Sequence, residues 1–513
     1  MMKWRIYVRV LCIFVFCNLL IVDLASGADP VLTVKSANKA YLSIDPKRTI
    51  RAKIPTNIYS INMQYNLFEV AHWDRKKRKV KSQVLDNLKT LPGGMYRYPG
   101  GLVSNQFDWE ASIIDYDRRV EKRLAYGNMS RNTYFGVGEY LDFMKEVGTR
   151  TPWYTLNLQG RGTGDNPVEL PSRQLAESNE RLAKYIKKRT PNLDRRFYQL
   201  GNELDINQFQ WSYNKYIKRA LETIEKISAV DPKARFVPFM REFWWNYRPP
   251  KSGVSKPEDY FNAVMKALPM VRDFSLQIYF DGKLYPEDDY VDVPEVIERI
   301  EKSVAMAKAA RSGHYNVWIT EYGKRFFLKG DKEPESGTSL DAALAAGDLL
   351  VALAQLPVVR GAMMQCLDGG GRKLYFDSDT PTSSFWALQI LSNQPYKRVL
   401  ASTTSSPNSS GYHGGYDVRA VATTNDGGNV LGVNAVNRSR QGQTLRIKYP
   451  PLAGKTRTEK RRYVRGPEGK NPKFVEKGFT VQSKPLSKAK TFNADGEVVV
   501  WLPPLSVSSF TFN

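Results

Sequence analysis

The sequence predicts an α/β protein, a (β/α)8 TIM barrel with a C-terminal antiparallel β-sandwich. Three observations predict it. Between residues 57 and 366, eight short apolar runs alternate with longer stretches whose apolar residues recur at i, i+3, i+4 and i+7. From about residue 395 the helical period stops, and short alternating runs separated by Gly, Asn and Pro take over. No Gly-rich phosphate turn follows an early strand, which argues against an open doubly wound sheet. The expected boundaries are a leader at 1–28, N-terminal strands at 29–50 that join the sandwich, the barrel at 51–394 and the sandwich at 395–513.

The elements follow in order. "VLTVKSANKAYLSID" alternates as one or two strands should. The barrel strands are expected within 57–66, 94–100, 151–158, 196–203, 235–240, 274–280, 316–323 and 359–366. Helices are expected over 137–148, 213–228, 296–311 and 339–356. In the sandwich, "VRAVATT", "NVLGVNAV", "TLRIKYP", "KFVEKGFTVQS", "EVVVWLP" and "SSFTF" are the strand candidates.

The first segment reads as a signal for export. "MMKWRIYVR" is basic, "VLCIFVFCNLLIV" is apolar, and "LASGA" offers small residues for cleavage near Gly27 or Ala28. An uncleaved anchor is the alternative, but the apolar run is short for a span of about 20 residues. Cys12 and Cys17 lie in this leader, so Cys366 is the lone cysteine beyond it. A secreted or periplasmic protein stabilised by its core rather than by disulfides is expected. Asn-x-Ser sequons begin at Asn128, Asn408 and Asn437.

Charge is the strongest compositional feature. The 513 residues carry a formal +24. The leader's Lys3, Arg5, Arg9 and Asp23 account for +2 of it, leaving +22. Such a balance points to an anionic partner: nucleic acid, an anionic membrane surface or an acidic polysaccharide. Export argues against nucleic acid. From residue 395 onward nineteen Lys and Arg face seven acids, densest in "KTRTEKRRYVRGPEGK" at 455–470. That stretch reads either as a contact for an anionic surface or polyanion, or as a solubilising loop.

In a TIM barrel the reactive side chains project from the C-terminal ends of the strands. Glu203 ends the fourth strand candidate and Glu321 the seventh. Far apart in sequence, they can face each other across a barrel mouth. A carboxyl pair at about 5–5.5 Å suits retaining glycoside cleavage, and one at about 6.5–9.5 Å suits inversion. Asn202, beside Glu203, is placed to bind a sugar hydroxyl. Tyr279, ending the sixth strand, would hydrogen-bond the nucleophilic carboxylate. Arg97, on the second, would favour its charged form. The structural alternatives are an acid in the first turn of a helix for Glu203 and a pair with Lys324 or Arg325 for Glu321. Two carboxyls at two strand ends favour catalysis over coincidence.

Other chemistries lack their residues. His72, His314 and His413 have no metal-ligand spacing. A nucleophile elbow is missing, and Cys366 has no nameable base. Neither a metal nor an organic cofactor is implied.

"RYPGG" (97–101), "LGNE" (200–203) and "ITEYG" (319–323) together resemble the clan A retaining glycoside hydrolases. The Arg-Tyr-Pro-Gly-Gly run followed by "DW" (108–109) resembles the α-L-arabinofuranosidase branch. The barrel-plus-sandwich plan and basic character resemble the heparanase and β-glucuronidase branch. The resemblance implies Glu203 as acid/base, Glu321 as nucleophile, Asn202 as hydroxyl-binding amide and Tyr279 as the nucleophile's partner. Many clan members carry His two residues before that Tyr; this chain has Gln277.

Basic residues follow several strand candidates: "DRKKRKVK" (74–81), Arg161, Arg241, Lys324, Arg325, Arg372 and Lys373. Trp73, Trp109, Trp153, Trp244 and Trp245 lie near the same ends and would stack on sugar faces. Asn157 completes the expected substrate-binding set. A rim of this kind would give an acidic glycan charge-assisted hydrogen bonds. The expectation is therefore a retaining hydrolase of a uronate- or sulfate-bearing polysaccharide. The alternatives are a neutral-sugar enzyme of arabinofuranosidase or xylosidase type, and a noncatalytic glycan-binding barrel.

Overall fold

The structure is a computed structural model describing residues 34–119, 134–149, 151–162, 167–205, 209–240, 257–280, 293–324, 338–367, 374–375, 380–409, 415–472 and 475–513. All eight expected barrel strands are present. In chain order they are Ser60–Asn62, Tyr96–Tyr98, Trp153–Thr155, Arg196–Leu200, Ala234–Pro238, Asp273–Phe280, Asn316–Lys324 and Val359–Gln365. They pair in parallel in the order fifth, fourth, third, second, first, eighth, seventh, sixth. A parallel bridge from Phe239 to Ser275, with the Met240 N–H donating to the Ser275 carbonyl at 2.9 Å, brings the fifth strand back to the sixth. Met95, Trp153, Phe197, Val237, Trp318 and Met363 pack together inside the barrel, as side-chain layers do in this fold.

The four expected helices appear as Val137–Glu146, Tyr213–Val230, Val293–Ala310 and Leu340–Leu353. Helix Ser172–Arg189 was not expected. Its buried face is only Leu175, Ala176, Asn179, Leu182, Ala183 and Ile186, set among Lys, Arg and Glu. Among the described residues no helix is long and apolar enough to cross a membrane.

The second sheet is mostly antiparallel. Its strand order is Thr480–Thr491, Thr456–Arg465, Ser506–Phe512, Leu431–Asn437, Val418–Thr424, Arg398–Ser406, Ala40–Arg51, Gln443–Lys448 and Glu497–Leu502. The N-terminal strand Ala40–Arg51 thus lies inside the sandwich, pairing antiparallel with Arg398–Ser406. The basic stretch 455–470 is not a loop. Most of it is strand Thr456–Arg465, with Glu459 and Val464 turned inward. Dense Lys and Arg hid its alternation, because charge on an outward face does not oppose a strand. Asn437 is fully buried, its amide donating to the Gln441 and Pro503 carbonyls, so that sequon does not present its side chain for modification.

Helix Leu340–Leu353 is buried on every side, as an all-round apolar helix must be. It lies between barrel and sandwich. Gly347 permits that contact, since a Cβ there would sit 2.6 Å from Val507 Cγ2. Asp348, on the same helix and fully buried, accepts from Arg419 Nε at 2.7 Å and from Tyr416 Oη at 2.6 Å on the sandwich. A buried carboxylate so satisfied fixes the two layers in one register.

Candidate active site

Arg97 is the hub of the barrel mouth. Its side chain is fully buried. Nε donates to Gln199 Oε1 at 2.7 Å, and Nη1 donates to Asn62 Oδ1 at 2.7 Å and to Glu321 Oε1 at 2.8 Å. Nη2 donates to Asn202 Oδ1. One guanidinium therefore ties the first, second and seventh strands to the turn after the fourth. It sits where it does because the following residues fold tightly. Gly100 and Gly101 have φ of +71° and +56°. A Cβ on Gly100 would lie 2.5 Å from the Met63 carbonyl oxygen, and one on Gly101 would collide with the Gln64 amide. Removing the cation leaves Glu321 buried without a counter-charge, so Arg97→Ala should cost about 3–5 kcal/mol of stability. Denaturant unfolding of the two proteins measures it; a loss below about 1 kcal/mol contradicts the pairing.

Glu321 sits where the seventh strand bulges. Leu276 pairs with Ile319 but Gln277 pairs with Glu321, so Thr320 is an extra residue. Bulges of this kind re-aim a side chain. Tyr279 Oη donates to Glu321 Oε2, and Arg97 holds Oε1. The described partners of Glu321 are thus Arg97 and Tyr279.

Glu203 does not begin a helix. It lies in a turn, half-buried, with φ of +47°, a conformation that costs a non-Gly residue about 1 kcal/mol or more. The turn is held from outside. Asn105 clamps the Asn202 peptide, its Oδ1 accepting from Asn202 N at 3.0 Å and its Nδ2 donating to the Asn202 carbonyl at 2.5 Å. Gln199 Nε2 donates to the Gly201 carbonyl at 3.1 Å.

The Asn202 side chain has a defined orientation. Its Oδ1 accepts from both Arg97 and Gln277 Nε2, the latter at 2.7 Å. Among the described residues its Nδ2 is buried with no hydrogen-bond partner, which leaves a donor for a ligand oxygen. Gln277, where many clan members carry His, here fixes the Asn202 flip. Gln277 and Tyr279, two apart on the sixth strand, thus secure Asn202 and Glu321 respectively.

Arg97, Asn202, Tyr279 and Glu321 are brought together, and Glu203 adjoins Asn202 in the chain. Trp153 is not at the mouth. It starts the third strand, is fully buried, and stacks on Phe197 at 5.1 Å between ring centroids. Entry into the barrel interior, rather than exit from it, sets its position, so it is core and not a sugar platform. Asn157 is consumed by its own loop. Oδ1 accepts from the Gln159 and Gly160 amides, and Nδ2 donates to the Gly160 and Phe107 carbonyls. Arg161 is exposed beyond it. Trp73 and Trp109 are buried, the latter donating to Ser178 Oγ at 3.0 Å. In the 74–81 run, Arg78 pairs with Asp117 and Arg75 lies over the Tyr134 ring. Lys324 ends the seventh strand opposite Phe280, but its side chain lies outside the described residues, as do Trp244, Trp245, Arg241, Arg325, Arg372 and Lys373. Gln199, Asn62 and Asn105 were missed. Asn62 and Gln199 are lone amides in apolar strands, "YSINM" and "RFYQL", and that is the signal that finds them.

Nearby, Glu69 accepts from the Phe135 amide at 2.8 Å, and burial pushes its carboxyl from 4.5 up to about 7. A raised folded pKa means that the native state holds the proton more tightly. The stability from Glu69 is full below about pH 4.5 and is lost as pH rises through 7. The loss is about 3 kcal/mol. Burial also lowers His72 to about 3, which costs stability in the opposite direction, as pH falls below about 6.5. Glu69→Gln should therefore gain melting temperature over the parent at pH 8 relative to pH 5. An unchanged difference between the two pH values contradicts this.

The barrel mouth thus carries an Arg-braced carboxylate at one strand end and an Asn-Glu turn at another. No family model matches the chain. A Streptomyces lividans protein named intracellular exo-α-(1→5)-L-arabinofuranosidase is 27% identical over 217 residues, covering 39% of this chain and 31% of that protein. The α-L-arabinofuranosidase C of Emericella nidulans is 23% identical over 336 residues, 60% of this chain and 64% of that one. The chain thus matches less than two thirds of the length of either relative. Among solved structures, the GH51 α-L-arabinofuranosidase of Thermotoga petrophila has a TM-score of 0.72 at 16% identity, covering 93% of this chain and all of that one. A family 51 α-L-arabinofuranosidase of Bifidobacterium longum gives 0.71 at 17%, with the same coverage. These structures share the fold.

Proposed function

We propose that the protein is a retaining glycoside hydrolase of α-L-arabinofuranosidase type. The observation that carries it is the single buried guanidinium joining Glu321 to Asn202, the neighbour of Glu203. Glu321, held by Arg97 and Tyr279, attacks the anomeric carbon while Glu203 protonates the departing oxygen. The bond to the leaving group breaks as a glycosyl–Glu321 ester forms. Water, deprotonated by Glu203, then displaces Glu321 and releases the sugar. The free Asn202 Nδ2 donates to the hydroxyl beside the reacting carbon.

The relatives' names favour a neutral arabinofuranoside over the acidic glycan expected from net charge. Initial rates on aryl α-L-arabinofuranoside, aryl xyloside and aryl glucuronide test this. The arabinofuranoside should be cleaved fastest. Cleavage of the glucuronide alone contradicts the reading. Export rests on the residue pattern of 1–28. Mass spectrometry of the native protein should find an N-terminus near Asp29, and a retained leader contradicts export.

A further inference from the structure

The end of the barrel opposite Glu321 holds a cavity of about 1100 Å³. It is walled by the starts of the strands: Arg235 on the fifth, Asp273 on the sixth, Asn316 on the seventh and Arg360 on the eighth. The Asn192–Arg195 segment before the fourth strand and Asn57 before the first complete it. The packed aromatic layer of Trp153, Phe197 and Trp318 lies inside the barrel, and Phe197 and Trp318 edge the cavity. This face of a barrel ordinarily serves stability, and the opening is as large as a ligand site.

The charges in the wall are unevenly satisfied. Asp273 is saturated, accepting from Arg235 Nη2 at 2.8 Å, Asn316 Nδ2 at 3.0 Å and Trp318 Nε1 at 2.9 Å. Arg235 is thereby neutralised. Arg360 donates Nε to Asn316 Oδ1 at 2.9 Å. Neither Arg360 nor Arg195 pairs with a carboxylate among the described residues, and Asp194, exposed, is the remaining acid. Behind Arg360 lies a further cation. Arg51 is 7% exposed, and among the described residues its Nε and Nη1 have no hydrogen-bond partner. Its Nη2 donates to the Val359 carbonyl at 2.7 Å, next to Arg360 in the chain. Burial and the Arg360 charge lower Arg51 to about 10. The two cations in the wall without a carboxylate suit a bound anion, and the amides of Asn57 and Asn192 suit hydroxyl groups.

We infer that this basal cavity is a noncatalytic binding site for an acidic sugar, its carboxylate held by Arg195 and Arg360 and its hydroxyls by the asparagine amides. The site lies away from the catalytic mouth, its test uses the proposed arabinosidase activity as a control, and it gives the chain's positive charge a use. The test is titration of the full-length protein with trigalacturonate, with L-arabinose saturating the catalytic pocket. Neutral xylotriose and inorganic sulfate are the comparison ligands. Trigalacturonate should bind, and hydrogen exchange should show protection in 190–197 and 355–362. R195S/R360S should weaken binding at least tenfold with cleavage of aryl arabinoside unchanged. Asn192→Ala, at an exposed position, should weaken it without touching the charges or the fold. Undiminished binding in both variants overturns the inference. So does protection confined to 319–324, equal binding of xylotriose, or full displacement by equimolar sulfate.

Discussion

Glu321→Gln should lower turnover by about 10⁴-fold or more, because an amide cannot form the glycosyl ester on which both steps depend. The same change should lower stability. Arg97 is fully buried and would lose its anionic partner, a situation that costs about 3–5 kcal/mol when nothing replaces the charge. Part of that cost is offset here, because Asn62, Gln199 and Asn202 still accept from the guanidinium. The variant should therefore melt cooperatively at a lower temperature and still bind L-arabinose. Loss of turnover with binding retained separates chemistry from unfolding. Turnover within tenfold of the parent contradicts the nucleophile assignment.

Glu203→Ala should behave differently. General acid–base catalysis contributes about 10²–10⁴-fold, and its weight depends on the leaving group. A nitrophenolate departs without help, so the first step with that substrate should survive while the second, which needs a base to activate water, slows. Azide needs no deprotonation and should restore turnover, giving a glycosyl azide of retained configuration. Since Glu203 lies in a half-buried turn fixed mainly through the Asn202 peptide and Gly201, stability should change little. Failure of azide to raise the rate contradicts the acid/base role.

Much of the barrel was legible because its strands are nearly continuous apolar runs buried on both sides, as in "RFYQL" and "VRGAMMQ". Helix Ser172–Arg189 escaped because a narrow apolar stripe among charges barely registers in a window average. Strand Thr456–Arg465 escaped for the same reason in the other period. At the site, carboxyls and the Arg-Tyr-Pro-Gly-Gly turn were visible because their residue types are unusual at strand ends. The amides that organise them were not. Asn105 and Gln277 carry no charge or spacing signal, and their roles exist only through partners about 75 to 97 residues away. Tryptophans misled for a related reason. Proximity in sequence to a strand says nothing about which end of the barrel a ring occupies, and Trp153 fills the interior. Net charge left the substrate open as well, since a total does not say where cations lie, and Arg97 at the mouth is spent on Glu321.

The most direct measurement is covalent trapping with a 2-fluoro-substituted arabinofuranosyl donor carrying a good leaving group, followed by peptide mass spectrometry. Fluorine at that position disfavours the positive charge of the transition state, and the activated donor lets the first step outrun the second. The account predicts one fluoroarabinosyl adduct per chain, located on Glu321 within the seventh strand. An adduct on a different residue, or an inverted sugar as the first product of the unsubstituted substrate, would contradict it.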